Sequence, residues 1–357
     1  MTNTRVDLLS MTPSELSEYF VSIGEPAFRA KQVFSAYHKR GETLAEMTTL
    51  PRSLREKLCE SVQEKMPTVS KKLVSAIDGT AKYLLRLFDG NLVECVLMRY
   101  EHGTTLCISS QVGCAMGCRF CASTIGGRVR NLSASELLGQ IIAVSRESRE
   151  RIDGVVMMGI GEPLDNYDEV VRFLHLVNHP DGLCIGYRHI SLSTSGIVPR
   201  IYDLAKEKLP ITLSISLHAA SDERRSAIMP INRRWGIDEL LRACVSYFAD
   251  TGRRISFEYT LISGENDSES EAKSLAKLLR KYFCHGEPIH VNLIRVNEVV
   301  ETGYKRPSRE AATRFCETLN RLGVTATVRR RLGADVNAAC GQLRRAEESE
   351  EVSERGR

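Results

Sequence analysis

The sequence predicts an α/β protein in which a partial (β/α)6 barrel follows a small N-terminal helical domain. Two observations support this fold class. Short apolar runs alternate with amphipathic stretches over residues 91–343, whereas residues 1–90 are mostly helical in pattern. Alternating strands and helices are typical of a parallel sheet with helices packed on it, and barrels of this kind place reactive groups at the carboxyl ends of their strands.

The N-terminal domain, residues 1–90, is predicted from helix-start signals. Thr12 precedes Pro13, which is the pattern of a capping residue followed by proline in the first turn. The stretches GEPAFRAKQVFSAYHKRG and LPRSLREKLCESVQEK predict two more amphipathic helices. AKYLLRLFDGNLVECVLMRY then predicts a hairpin with Asp89 and Gly90 at its turn. We expect this module to be an accessory domain.

The barrel, residues 91–343, is predicted from strand-like runs with capped helices between them. Ser133 followed by Glu136 is a capping-box signature at the start of one helix. The predicted strands are TTLCIS, IDGVVMM, RHISLST, ITLSISL, RISFEYTLI, IHVNLI and TATVRR, and the predicted helices are SASELLGQIIAVSRES, NYDEVVRFLHLVN, IDELLRACVSYF, SESEAKSLAKLLRKYF and SREAATRFCETLNRLG. Residues 344–357 contain few apolar side chains, so we predict a disordered tail there.

Composition and charge set the compartment and the class of partner. The start of the chain lacks a basic segment followed by an apolar one, and no apolar run is long enough to span a bilayer, so we expect a cytoplasmic protein without a membrane partner. A net charge of +4 permits a nucleic-acid partner without demonstrating one. In the cytosol thiols stay reduced, so a cysteine cluster indicates metal binding or catalysis.

Four of the eleven cysteines lie in CISSQVGCAMGCRFCAS, and three of them have the spacing C-x3-C-x2-C. A structural zinc ion requires four ligands, and no further cysteine or histidine follows at finger spacing. Cys114, Cys118 and Cys121 instead suit a [4Fe–4S] cluster with one iron left open. The spacing, with Phe120 before the last cysteine, resembles the signature of the radical S-adenosylmethionine (SAM) enzymes, whose fold is a partial β/α barrel.

This resemblance implies that SAM chelates the open iron and, after receiving one electron, yields a 5′-deoxyadenosyl radical that abstracts hydrogen. Gly161 and Glu162 of the GEP segment would contact the SAM amino group. Further SAM contacts are expected where later strands end, because a barrel presents its ligand groups there. By their order along the chain these candidates are Ser193, Ser216, Leu217, His218 and Asn297.

Two more cysteines indicate which group of radical SAM enzymes the chain resembles. Cys340 lies in AACGQL near the end of the chain, and Cys107 precedes the motif; either alone would normally be a buried structural thiol. As a pair they resemble the two thiols of the RlmN/Cfr adenine methyltransferases. The resemblance extends over most of the chain, through the segments GEPAFRAKQ, VECVLM, CISSQVGC, GEPL, STSG, SLHAA, MPIN and AACGQL.

The RlmN/Cfr resemblance implies a route to an electron-poor carbon. One SAM would methylate Cys340, and a second SAM would provide the radical that takes hydrogen from this S-methyl group. The resulting methylene radical would add to adenine, and Cys107 would resolve the adduct through a transient disulfide with Cys340. Glu94 of VECVLM would accept a proton, although a strand-edge glutamate is an equally good interpretation from chemistry alone.

The resemblance leaves the position of methylation open. Val112, Pro163 and Ser195 favour methylation of C2 of a 23S rRNA adenosine, as in RlmN, whereas HVNLIRVN is closer to the C8-methylating Cfr enzymes, which confer antibiotic resistance. Transfer RNA is a possible second substrate, at the adenosine 3′ to the anticodon. We expect the helical domain and the arginine clusters to dock RNA, and a flavodoxin or ferredoxin to donate the electron. A radical SAM enzyme acting on proteins or small molecules, and a non-enzymatic zinc or RNA-binding protein, are the alternatives.

Overall fold

The computed structural model describes residues 5–298, 303–336 and 343–344, and within them it confirms the predicted α/β fold. The described α-helices are α1 Pro13–Ser22, α2 Phe28–Ser35, α3 Arg52–Ser61, α4 Ala134–Ser148, α5 Tyr167–Asn178, α6 Val198–Lys206, α7 Asp222–Ile228, α8 Ile237–Thr251, α9 Glu269–Tyr282 and α10 Arg309–Arg321. The described strands are β1 Thr68–Val74, β2 Ala81–Arg86, β3 Leu92–Tyr100, β4 Gly103–Cys107, β5 Gln111–Gly113, β6 Arg128–Asn131, β7 Gly154–Met157, β8 Ile190–Thr194, β9 Thr212–Ser216, β10 Ile255–Leu261, β11 Ile289–Arg295 and β12 Ala326–Val328.

One sheet joins ten of these strands in the order β1-β2-β3-β4-β7-β8-β9-β10-β11-β12. From β4 to β12 neighbouring strands are parallel, as the predicted strand–helix alternation requires. From β1 to β4 they are antiparallel, which confirms the hairpin predicted between β2 and β3. The hairpin strands therefore extend the sheet of the barrel, while the domain boundaries at residues 90 and 343 stay predictions.

The helices of the N-terminal module are formed by the predicted segments and pack against the barrel. In α1 the Thr12 side chain accepts a hydrogen bond from the Glu15 amide, and the Glu15 carboxylate accepts one from the Thr12 amide, which completes a capping box. Glu15 also binds Arg172 of α5 at 2.7 Å. Arg146 of α4 makes a second link, at 2.8 Å from Glu46. Module and barrel share one continuous apolar core.

A second sheet of two strands encloses the cysteine motif. Strand β5 pairs antiparallel with β6, so the chain between them, which carries all three motif cysteines, forms a closed loop. Gly113 sits at the base of this loop with φ of +75°, and a Cβ there would lie 2.0 Å from the Gly127 carbonyl oxygen. The close approach of the two strands therefore requires glycine.

The chain after β12 returns to the hairpin strands. The Asp335 carboxylate accepts hydrogen bonds from the Ser75 hydroxyl at 2.6 Å and the Ala76 amide at 2.8 Å. The Arg344 amide donates to Glu94 Oε1 at 2.6 Å. The predicted disordered tail lies outside the described residues beyond Arg344. No helix in the described ranges is both long and apolar enough to cross a membrane.

Candidate active site

The parallel strands end around one cavity of about 270 Å³. Its wall combines the cysteine loop with residues at or just beyond the carboxyl ends of β7 to β11, which is where a β/α barrel presents functional groups. Of the SAM contacts predicted from the sequence, the cavity is lined by Gly161, Glu162, Ser193, Ser216, His218 and Asn297. Leu217 is different, because its side chain is fully buried in the apolar core.

The three motif cysteines line the same cavity. Burial raises the pKa of the Cys114 thiol to about 12, and burial together with the neighbouring Cys121 and Cys114 raises the pKa of Cys118 further. Without a metal the thiols of Cys114 and Cys118 are protonated at neutral pH, so metal binding must release their protons. No three cysteine, histidine or carboxylate side chains in the described part of the chain converge as ligands of one metal ion would. An iron–sulfur cluster does not need such convergence, because each thiolate binds a separate iron.

Glu162 provides a buried acceptor on the cavity wall. Its Oε1 accepts a hydrogen bond from the Leu164 amide at 3.0 Å, and its Oε2 accepts one from the Ser195 amide at 2.6 Å. These bonds orient the carboxyl group, and burial raises its pKa. A buried, oriented carboxyl group fits the ammonium group of an amino acid, because a cation there would compensate the cost of burying the charge. This is the amino group that SAM carries.

Gly161 lets the GEP segment approach the strand that precedes the cysteine loop. Its φ is +110°, and a Cβ would lie 2.7 Å from the Gln111 amide nitrogen and 2.7 Å from the Ser110 hydroxyl oxygen. Glu162 follows directly, and its amide donates to Gln111 Oε1 at 2.9 Å. The glycine is thus required by packing at this point and not by a phosphate loop.

His218 connects the strand ends to the cysteine motif. Its Nδ1 accepts a hydrogen bond from the Thr260 amide at 2.9 Å, and its ring packs edge-on against Phe120 with centroids 4.9 Å apart. Burial lowers the pKa of His218 to about 3, so the ring is neutral at physiological pH. His218 therefore presents a neutral imidazole with a fixed orientation on this wall of the cavity.

Sequence reasoning missed several polar residues of the cavity. Glu258 on β10 lines it, accepting hydrogen bonds from Asn292 Nδ2 at 2.7 Å and from the Ser256 hydroxyl at 3.1 Å. The signal was a carboxylate in the middle of the fully buried strand ISFEYTL. Arg225 of α7 does not line the cavity but binds the carbonyls of Ser195 and Ser216, which do. It was also missed, because the segment SDERRSAI has the composition of an exposed helix.

Cys107 and Glu94 do not line this cavity. Cys107 ends β4 and packs with Val96, Met98 and the half-buried Met158, and Met158 itself lines the cavity. Glu94 is on β3, 2% exposed, and its Oε2 lies 3.2 Å from Nζ of Lys82.

Cys340, the predicted methyl carrier, lies outside the described residues, as do residues 337–342 around it. On either side of that gap the described chain is bonded to the hairpin strands. Asp335 contacts the β1–β2 turn and Arg344 contacts Glu94 on β3.

Two family models match the chain. The Radical SAM superfamily matches residues 108–276, which include the cysteine loop and most of the cavity wall. The ribosomal RNA large subunit methyltransferase N-terminal domain matches residues 6–63, the helical module.

Curated relatives are similar over nearly the whole chain. A protein of Alkaliphilus oremlandii, described as a probable dual-specificity RNA methyltransferase RlmN, is 52% identical over 341 residues, which are 96% of this chain and 98% of the relative. A Clostridium acetobutylicum protein of the same description is 51% identical over 96% of this chain and 99% of its own length. The crystal structure of a radical SAM methyltransferase from Sphaerobacter thermophilus is similar with a TM-score of 0.89 and 42% identity, covering 94% of this chain and 98% of that one.

Proposed function

The chain belongs to the RlmN family of radical SAM RNA methyltransferases, and on this premise we propose that it methylates C2 of a specific adenosine in 23S rRNA. We further propose the adenosine 3′ to the anticodon of tRNA as a second substrate. The relatives' description as dual-specificity enzymes supports two classes of RNA.

The observation that carries the proposal is the position of Cys107 and Glu94. Cys107 pairs with Val96 on β3, two residues from Glu94, so both side chains lie on one face of the sheet. Met158 packs against the apolar cluster that Cys107 forms with Val96 and Met98, and it also lines the cavity. A thiol and a carboxylate on one face of the sheet support the proposal, because the transfer of a carbon atom through sulfur uses both groups.

When bound, the [4Fe–4S] cluster and two SAM molecules per turnover would supply a methyl group and one-electron chemistry that removes hydrogen from an S-methyl group. Cys114, Cys118 and Cys121 would hold the cluster. Glu162 would receive the SAM ammonium group, and Gly161, Ser193, Ser216, His218 and Asn297 would complete the SAM site. Leu217, whose side chain is buried in the core, would contribute only its backbone.

The remaining steps belong to sulfur and carboxylate groups. Cys340, as its thiolate, would accept a methyl group from the first SAM and later carry the methylene group that bonds to the adenine carbon. Glu94 would take the proton lost from that carbon, while one electron would leave the adduct radical for the cluster that the motif cysteines would hold. The Cys107 thiolate would then attack the Cys340 sulfur, which breaks the bond between sulfur and the new carbon and forms a disulfide on the protein. The released carbon would keep the electron pair and take up a proton, which leaves a methyl group on the base.

The RNA must present its base outside a helix, because an adenine edge that is stacked and paired cannot reach a buried site. The helical module and the arginines near the cysteine loop are the proposed docking surfaces. We place the reaction in the cytoplasm, with a flavodoxin or ferredoxin as electron donor and no membrane partner.

The test is anaerobic reconstitution followed by reaction with fragments of 23S rRNA and with tRNA, with mass spectrometry of the nucleosides. We expect 2-methyladenosine at one position. Detection of 8-methyladenosine instead would show that the enzyme methylates C8 and not C2. The matched variant is Cys107→Ser, which should accumulate a covalent protein–RNA adduct because nothing resolves it. Cys340→Ser should form neither adduct nor product, and full turnover by that variant would disprove the route through a methyl-cysteine.

A further inference from the structure

Arg225 is the largest fully buried side chain of the described residues. Its Nε donates to the Leu217 carbonyl at 3.1 Å, and its Nη2 donates to the carbonyls of Ser195 at 2.6 Å and Ser216 at 2.9 Å. Its Nη1 donates to Asn232 Oδ1 at 2.9 Å. The guanidinium therefore ties together the ends of β8 and β9, from which the cavity wall is built.

All of these acceptors are neutral. In the described ranges no carboxylate lies within ion-pair distance of Arg225, whereas Lys82, which is also fully buried, is paired with Glu94. Asp222 is one step removed: its Oδ1 accepts from Asn232 Nδ2, and of these two side chains only that of Asn232 is hydrogen-bonded to the guanidinium. A buried charge without a counter-charge is strongly destabilising, so a fold that retains one implies compensation from elsewhere.

The compensating charge can be located from the groups that act on Arg225. Burial lowers the pKa of its guanidinium to about 10, and Cys118 as a thiolate is the first of the groups that oppose this shift, followed by Asp222 and Cys244. The residue stays protonated at neutral pH. The geometry agrees with this: the Arg119 amide of the cysteine loop donates to the Ile228 carbonyl at the end of α7 at 2.9 Å. Ser195 and Ser216, whose carbonyls bind the guanidinium, line the same cavity as Cys118.

We propose that Arg225 is the buried counter-charge of the iron–sulfur cluster and that it raises the reduction potential of that cluster while fixing the ends of β8 and β9 against it. The inference rests on the proposed cluster at Cys114, Cys118 and Cys121. Arg225 is a positioning residue in this account, because it acts on the cluster through charge and through the strand ends.

The effect on the potential follows from charge. Three thiolates around a [4Fe–4S] core give a net anion, and the electron accepted from a donor makes it more negative. A fixed cation at low local dielectric stabilises the more negative state more strongly. Removal of the positive charge should therefore make the cluster harder to reduce, and it should also weaken retention of the iron.

Substitutions at Arg225 itself and at the neighbouring pair of Asp222 and Asn232 test this independently. Arg225→Gln removes the charge and keeps hydrogen-bond donors, whereas Arg225→Lys keeps the charge and loses the planar fork. The double variant Asp222→Asn with Asn232→Asp leaves the arginine in place, preserves net charge and puts a carboxylate directly on the guanidinium. Arg233→Gln, at an exposed arginine, is the control for an equal change in net charge.

Each reconstituted protein is titrated anaerobically without SAM, with the reduced cluster followed by electron paramagnetic resonance, and its iron is counted after incubation with a chelator. We expect a more negative midpoint potential and faster iron loss for Arg225→Gln and for the double variant. Arg225→Lys and Arg233→Gln should stay near the wild-type potential.

Equal potentials in wild type and the double variant would overturn the inference, and so would a potential in Arg225→Lys as negative as in Arg225→Gln. If Arg225→Gln does not fold, the double variant decides, because it retains every arginine. Wild-type protein that takes up no iron would contradict the proposed cofactor itself, whereas wild-type protein with a full cluster and unshifted variants contradicts only the role of Arg225.

Discussion

Nζ of Lys82 lies 3.2 Å from Oε2 of Glu94, with 0% and 2% of the two side chains exposed. Lys82 faces Val96 across the β2–β3 ladder and Glu94 faces Leu84, so the charged pair is a diagonal neighbour on one sheet face. Cys107 faces the same Val96 from β4. A buried ion pair therefore lies next to the thiol that we propose as the resolving group.

Removal of the cation alone should be more harmful than removal of both charges. We expect Lys82→Met to lower the free energy of unfolding by about 3–5 kcal/mol, because a buried carboxylate loses its ion-pair partner. Lys82→Met combined with Glu94→Gln should lose less. Urea denaturation of the three proteins measures both values, and a double variant that is less stable than Lys82→Met would contradict this account.

Glu258 should make stability depend on pH in a defined direction. Burial raises its pKa above 4.5, so the folded protein holds a proton that the unfolded chain has released, and stability falls as pH rises from that value through the folded pKa. Glu258→Gln abolishes this contribution. The melting temperature of the variant relative to wild type should therefore be higher at pH 8 than at pH 4.5. A constant difference across that range would exclude such a proton on Glu258.

Gly161→Ala should disrupt the cavity through contact and backbone strain together. Its φ is +110° and the new Cβ would lie 2.7 Å from a backbone nitrogen. Gly90, with φ of +86° and nothing within 4 Å of a Cβ, is the matched control for strain alone. We expect about 1 kcal/mol of destabilisation for Gly90→Ala, more than about 2 kcal/mol for Gly161→Ala, and weaker SAM binding only in the latter. Equilibrium dialysis with SAM measures the binding.

Iron content should depend on the motif cysteines and on no exposed thiol. Anaerobically reconstituted wild-type protein should be brown and contain about four irons per chain, and Cys121→Ala should lose most of them. Cys284→Ala, at an exposed cysteine outside the cavity, is the control and should keep its iron. Equal iron in both variants would contradict the assignment of the ligands.

The strands of the barrel were predictable because apolar runs bounded by helices have few other interpretations. Strand β1 was not predicted, since its residues alternate between exposed and half-buried positions and include two lysines, so no apolar face is evident in TVSKKLV. Strands β5 and β6 are too short to give a period, with three and four residues.

Site residues that belong to a sequence motif could be predicted. Residues that only the tertiary structure brings to the site were missed. Glu162 could be named from its segment, and it lines the cavity. Arg225 could not, because α7 offers two adjacent arginines with the same local sequence environment. Arg224 points outward and Arg225 is fully buried, a difference set only by the packing of α7 on the strand ends.

The two-stranded sheet around the cysteine loop bears on how the enzyme responds to oxygen. Its ladder from Gln111 to Asn131 is built from backbone hydrogen bonds, and the Arg119 amide adds a further bond to the Ile228 carbonyl, so none of these bonds uses a cysteine side chain. Oxygen that strips iron from such a loop would inactivate the enzyme without unfolding it. Repair would then consist of metal and sulfide delivery alone, with no need for a chaperone.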